Sequence, residues 1–153
     1  MPDVVDPETR SRMMSGIRSK NTKPEMMVRR GLHRMGFRFR LHSAEVPGRP
    51  DLVLPRYRAA IYVHGCFWHG HECHLFKFPS TRPEFWRTKI TRNVERDREV
   101  RTALEEQGWR RLVIWECALK GKWRIDFESV LGRAEQWIKG SEAEAEITGA
   151  PPA

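Results

Sequence analysis

The chain has 153 residues, 39% of them hydrophobic and 31% charged, so it is long enough for its own core and reads as one water-soluble globular domain. A net charge of +8 points to a polyanionic partner, nucleic acid first and an anionic membrane surface second. Three cysteines, an odd number, argue against a closed disulfide framework. The opening Met1 to Pro7 lacks the basic and apolar regions of a signal peptide, and the apolar run Ala59 to Val63 is far too short for a bilayer, so a cytoplasmic protein is expected.

Residues 1–20 read as an N-terminal arm. Within it, Met13, Met14 and Ile17 fall at helical spacing among Arg10, Arg12 and Arg18. Such a stripe usually docks on a core; the alternative is a methionine that enters a DNA groove. Thr22-Lys-Pro-Glu25 is a capping box with Pro in the first turn. It starts a helix to about Met35, with Met27, Val28, Leu32 and Met35 inside, ended by Gly36. Phe37 to Leu41 alternates as a strand, and Pro47 to Pro50 makes a turn. Asp51 opens a short apolar strand to Leu54. Ala59 to Val63 is wholly apolar, which predicts the centre of the sheet, and it delivers His64.

Pro83 to Gln107 reads as one long helix between Pro83 and Gly108. Ile90, Val94, Val100 and Leu104 form its inner face. Asp97 lies on the same stripe and there demands a partner. Trp109 to Glu116 is a further strand, with Cys117 directly after it, and Phe127 to Ile138 is an amphipathic closing helix. Residues 141–153, rich in Ala, Glu, Pro and Gly, are expected to be a disordered tail. The order predicts an α/β fold, a mixed central sheet flanked by helices.

The chemistry concentrates between His64 and His74, which hold four of the six histidines and two of the three cysteines around the pair Phe67-Trp68. Cys66, Cys73 and Cys117 are all the thiols of the chain. With one imidazole they make a closed tetrahedral zinc site, and spacing leaves His69, His71 and His74 open as the fourth ligand. Buried free cysteines are the bland reading, but a polar Gly-rich loop is a poor place for them. Asp51 and His64 are expected near one sheet edge. A carboxylate there suits Mg2+, and a histidine outside the zinc set can be a general base for phosphodiester hydrolysis. Alone, Asp51 would read as a turn residue after Pro50. Phe67-Trp68, exposed in such a loop beside basic side chains, suits wedging between bases.

Several motifs converge: Pro47-Gly-Arg-Pro-Asp51, His64-Gly-Cys-Phe-Trp-His69, Thr81-Arg-Pro-Glu-Phe-Trp86, Asn93-Val-Glu-Arg-Asp97 and Trp115-Glu-Cys117. Together they resemble the very short patch repair (Vsr) endonucleases, in the same order over about residues 3–140. The resemblance implies a single endonuclease domain over residues 1–140 with a restriction-endonuclease-like core. It implies Mg2+-dependent nicking of one strand, 5′ of the T in T:G mismatches left by deamination of 5-methylcytosine, in a CTWGG-type context. By motif, Asp51 would hold Mg2+ with the backbone of Val63, and His69 would be the general base, oriented by Asn93 and Asp97. His64 would assist at the phosphate, and Glu25 matches another residue associated with activity. Zinc would take Cys66, His71, Cys73 and Cys117. Phe67, Trp68 and Trp86 would enter the base stack, with Met14 on the minor-groove side.

His74 is left as ordinary surface. Val63 stands where the family often has Thr, and Gly70 and Glu72 interrupt a run that is more His-rich in relatives. The implied partners are mismatched duplex DNA and, as candidates, mismatch-repair proteins, for a monomer in the bacterial cytoplasm at the nucleoid. Two other readings are a restriction-type nuclease on matched DNA and a non-enzymatic zinc-stabilised DNA-binding module.

Overall fold

The computed structural model describes residues 21–151, so the N-terminal arm and Met14 lie outside the described residues. The first helix, α1, spans Lys23–Arg34. The Thr22 hydroxyl accepts from the Glu25 N–H at 3.3 Å, and Glu25 Oε1 accepts from the Asn21 N–H at 2.8 Å. These two bonds satisfy amide donors that a helix start otherwise leaves bare. Val28 and Leu32 are buried as expected, whereas Met35 is 36% exposed: it caps the helix and turns off the inner face.

Five strands follow the chain order across one sheet: β1 Arg40–Leu41, β2 Leu52–Leu54, β3 Ala59–His64, β4 Arg110–Trp115 and β5 Glu144–Ile147. The strand expected from Phe37 is reduced to Arg40 and Leu41, since Phe37 drops into the core instead. β1, β2 and β3 pair antiparallel; β3, β4 and β5 pair parallel. The parallel steps need long crossovers. One passes through α2, Pro83–Glu106, and the other through α3, Phe127–Lys139. The sheet is therefore mixed, and β3 lies at its centre.

Alternation along the strands divides the core in two. Leu52, Leu54, Ala59, Ile61, Leu112 and Ile114 face Val28 and Leu32 of α1 and Val130, Leu131 and Ile138 of α3. Val53, Ala60, Tyr62, Val113 and Trp115 face Leu104 of α2, together with Cys66 and Cys117. At the α1–α3 contact a Cβ on Gly31 would come within 2.7 Å of Leu131, so the glycine sets how closely the two helices approach. No helix among the described residues is long and apolar enough to cross a membrane.

The expected disordered tail is corrected: residues 144–147 form β5 against the open edge of β4. The Glu-Ala-Glu-Ile alternation puts Ile147 at 3% exposure and leaves Glu146 outside. Glu144 also accepts two bonds from the Arg101 guanidinium, each 2.6 Å. A composition that looks solvated hides this two-residue period.

Candidate active site and metal centre

The parallel strands β3 and β4 end side by side, with His64 opposite Trp115. From β3 the chain enters the loop that carries Cys66, His71 and Cys73. From β4 it enters a single 3-10 turn, Glu116–Ala118, that carries Cys117. One ligand atom from each of these four residues lies within 4.8 Å of all the others, and Cys66 and Cys117 are buried. His71 Nδ1 is 3.7 Å from Cys117 Sγ, and the His71 ring stacks on Trp115 at 4.1 Å.

The His71 N–H donates to the Cys66 carbonyl at 2.9 Å, closing the loop into a compact ring. Backbone donors serve the sulfurs, among them Leu75 N–H to Cys73 at 3.4 Å and Gly149 N–H to Cys117 at 3.2 Å. Burial pushes the Cys66 thiol up against a backbone hydrogen bond from Cys117, and the neighbouring Cys73 and Cys117 sulfurs add to the rise. Burial also holds His71 below the ordinary histidine value, which keeps it neutral. Three crowded sulfurs and one neutral imidazole become a favourable set when a cation neutralises them, and the donor set fits zinc.

His74, expected as plain surface, is corrected as well. Its two ring nitrogens are closed off from solvent without a hydrogen-bond partner among the described residues, and the ring lies 5.3 Å from Trp123. His74 is not among the four residues whose ligand atoms cluster within 4.8 Å.

A second cluster lies on the antiparallel side of β3. Asp51 precedes β2, and its Oδ2 accepts from the Val63 N–H at 2.6 Å. Glu25 is 1% exposed, yet it accepts from Arg29 at 3.4 Å and meets His42 Nε2 at 2.8 Å. Glu25, His42 and Asp51 offer one ligand atom each within 4.8 Å of one another. Burial raises the Asp51 carboxyl to about 8, and Glu25 adds to this against the Val63 hydrogen bond. A buried carboxylate pair of this kind is relieved by a divalent cation, for which the oxygen donors are suited. His42 was not anticipated. Its backbone is left-handed at φ 47, and its N–H bonds to the Asp51 carbonyl at 3.3 Å. A lone histidine after a basic strand carries no sequence signal.

Between the clusters lie the remaining histidines. The His64 and His69 rings stack at 3.7 Å, almost parallel at 5°. His69 Nδ1 meets Asp97 Oδ2 at 2.6 Å, which supplies the partner that Asp97 demanded on its apolar stripe. The carboxylate orients the imidazole and leaves Nε2 as the nitrogen that can take a proton. His64 is held well below the ordinary value, by burial first and then by His69 and Arg111.

The Asn93 amide donates to the Trp68 carbonyl at 2.8 Å, so it reaches His69 through the backbone just before it and not through the ring. The reason is reach: Asp97, one helical turn further on, already occupies the ring nitrogen.

Phe67, Trp68 and Trp86 come together, with ring centroids 5.1, 5.4 and 5.7 Å apart. Lys89 lies over Trp68 at 5.9 Å. Phe67 and Trp68 line a cleft of about 940 Å³ that also takes in Asp51, Val63, His64, His69, Asn93 and Asp97. Lys23, Arg49, Arg96, Arg111 and Lys120 contribute basic side chains to its walls. Glu25 lies behind the lining, beside Asp51, and Met14 is outside the described residues.

A family model for DNA mismatch endonuclease Vsr matches residues 2–75. The chain is 48% identical over 147 residues to the DNA mismatch endonuclease Vsr of Escherichia coli strain K12, covering 96% of this chain and 94% of that protein. It is 48% identical over 119 residues to the type II nicking enzyme V.XorIIP of Xanthomonas oryzae, covering 78% and 88%. It is 44% identical over 122 residues to V.NmeAIP, a type II nicking enzyme of Neisseria meningitidis, covering 80% and 87%.

Proposed function

The chain belongs to the Vsr family of DNA mismatch endonucleases and is a DNA endonuclease; from that premise we propose that it nicks one strand of duplex DNA, 5′ of the T in a T:G mismatch, by Mg2+-dependent hydrolysis. One observation carries the reading. The His69–Asp97 dyad, at 2.6 Å, opens on the same cleft as Asp51 and stands beside the aromatic trio. A base, an oxygen ligand for a cation and a wedge for bases thus share one basic cavity.

His69 Nε2 takes the proton of the attacking water, and the Asp97 carboxylate stabilises the imidazolium that forms. Asn93 fixes the backbone that carries His69. His64 stays neutral and supports the His69 ring by stacking beside the scissile phosphate. Asp51 and the Val63 backbone would hold the cation, with Glu25 behind them. When bound, Mg2+ supplies charge stabilisation at the phosphoryl oxygen.

Phe67, Trp68 and Trp86 insert beside the mismatch, and Met14 enters from the other groove. A wobble pair is easier to unstack than a Watson–Crick pair, so the insertion selects it. Cys66, His71, Cys73 and Cys117 would hold zinc, which would stiffen the loop that carries both base and wedge. The core is assigned to the restriction-endonuclease type, in one domain that includes β5. The enzyme acts as a cytoplasmic monomer at the nucleoid, with mismatch-repair proteins as candidate partners.

Duplexes with T:G or C:G at one position, each strand end-labelled in turn, test this with Mg2+ or EDTA. The expected result is a single product, from the T strand of the T:G duplex, in Mg2+ alone. Cleavage of both strands of the matched duplex would point to a restriction-type nuclease. Binding without product would point to a zinc-stabilised binding module.

A further inference from the structure

We propose that Thr148, just beyond β5, is a positioning residue of the sulfur-rich metal centre: its hydroxyl bridges His71 and Cys117 and holds His71 with Nδ1 towards the thiols. The inference rests on the reading of that centre as a zinc site.

The segment that carries Thr148 is fixed on both sides. Before it, Ile147 is buried, and Glu146 Oε1 accepts from the Trp115 indole N–H at 2.9 Å. After it, Gly149 is buried and donates its N–H to Cys117 Sγ at 3.2 Å. A Cβ on Gly149 would run into the Cys117 carbonyl and stand 2.7 Å from the Trp123 carbonyl, so only glycine lets the chain come this close. Ala150 N–H then bonds the same Trp123 carbonyl at 2.8 Å. Thr148 therefore has little freedom to leave the cluster, although the residue is exposed.

Thr148 Oγ1 stands 3.4 Å from His71 Nε2 and 3.4 Å from Cys117 Sγ. The other imidazole nitrogen, Nδ1, is the one 3.7 Å from Cys117 Sγ. A neutral imidazole that ligates through Nδ1 carries its proton on Nε2, and that N–H needs an acceptor. The Thr148 oxygen is at hand for it. The hydroxyl proton is then available to Cys117 Sγ, in preference to the Gly149 carbonyl at the longer 3.5 Å. The thiolate so gains two donors, the Thr148 O–H and the Gly149 N–H. This arrangement needs one group that both accepts and donates. Thr and Ser qualify; Val, with the shape of Thr, and Ala do not.

The test uses full-length wild type and the variants Thr148→Val, Thr148→Ala and Thr148→Ser, purified without a His tag. Zinc content is measured first, then zinc release to a chromogenic chelator well below the melting temperature. The Val and Ala variants are expected to release zinc about tenfold faster than wild type, with the Ser variant within about twofold of it. Release at the wild-type rate from the Val and Ala variants overturns the assignment, and so does a Ser variant as leaky as Val. In both cases a zinc-loaded wild type leaves the metal reading standing. Wild type without stoichiometric zinc overturns the metal reading and this inference together.

Discussion

The two clusters on either side of β3 differ in ligand, in strand direction and in access. On the parallel side, three sulfurs and an imidazole gather where β3 and β4 end, and the segment just after β5 meets Cys117 there. On the antiparallel side, Glu25 comes from α1, His42 from just after β1 and Asp51 from just before β2, and Asp51 opens on the large cleft. A closed set with all four ligands from protein suits a structural ion; a set with oxygen donors and open space suits a reacting one. The sheet changes direction at β3, and His64 stands at that change. On the proposed reading, stiffness would come from one side of the strand and chemistry from the other.

The sharpest way to break that division is Asp51→Ala. Nicking should fall at least about a thousandfold in single-turnover assays, since an oxygen ligand for the cation contributes several kcal/mol to the barrier. Binding to T:G duplex should be retained. Cleavage in Mg2+ at near wild-type rate would remove Asp51 from the chemistry.

Cys73→Ser probes the other side. Losing one thiolate should remove roughly 3 kcal/mol of the metal's contribution to folding, within the order of 10 kcal/mol that structural zinc supplies. For a chain of this size the melting temperature should drop about 6–12 °C. The zinc-loaded variant should still nick at low temperature. A variant that melts like wild type but does not cut would reverse the roles of the two clusters.

Asp97→Asn comes next, because it touches the base without touching either metal set. The amide cannot stabilise the imidazolium as a carboxylate does, so the single-turnover rate should fall about a hundredfold. Melting temperature and zinc content should hardly move. A drop in zinc content would show that the dyad and the thiol loop cannot be separated.

Much of this was legible in the residues, and the failures have a common cause. The capping box at Thr22, the Pro83 and Gly108 limits of α2 and the central place of Ala59 to Val63 are local signals, and each appears where expected. Asp97 was legible as a problem, an acid on an apolar stripe, before its partner could be seen. The fourth thiol-cluster ligand was open on spacing. In the structure His69 is taken by Asp97 and His74 is tucked against Trp123, which leaves His71 to reach the sulfurs. The misses are His42, Thr148 and Gly149, and β5. The first three depend on which distant segments meet, which neither composition nor period carries; β5 has its two-residue period, but a solvated-looking composition hides it.

Trp68→Ala has the smallest expected effect and the most specific one. Trp68 lines the cleft beside His69, in the loop that also carries Cys66 and Cys73, and its ring centroid is 5.7 Å from that of Trp86. If it serves only as packing for the zinc loop, its loss should lower the melting temperature and leave the ratio of T:G to C:G binding unchanged. If it enters the base stack, the ratio should fall about tenfold, since stacking on an aromatic contributes roughly 1–3 kcal/mol per base. The fall should come from weaker T:G binding and not from tighter C:G binding, because the basic walls of the cleft serve both duplexes alike. Competition binding in EDTA, which removes cleavage from the measurement, decides between the two, and an unchanged ratio would take Trp68 out of the wedge.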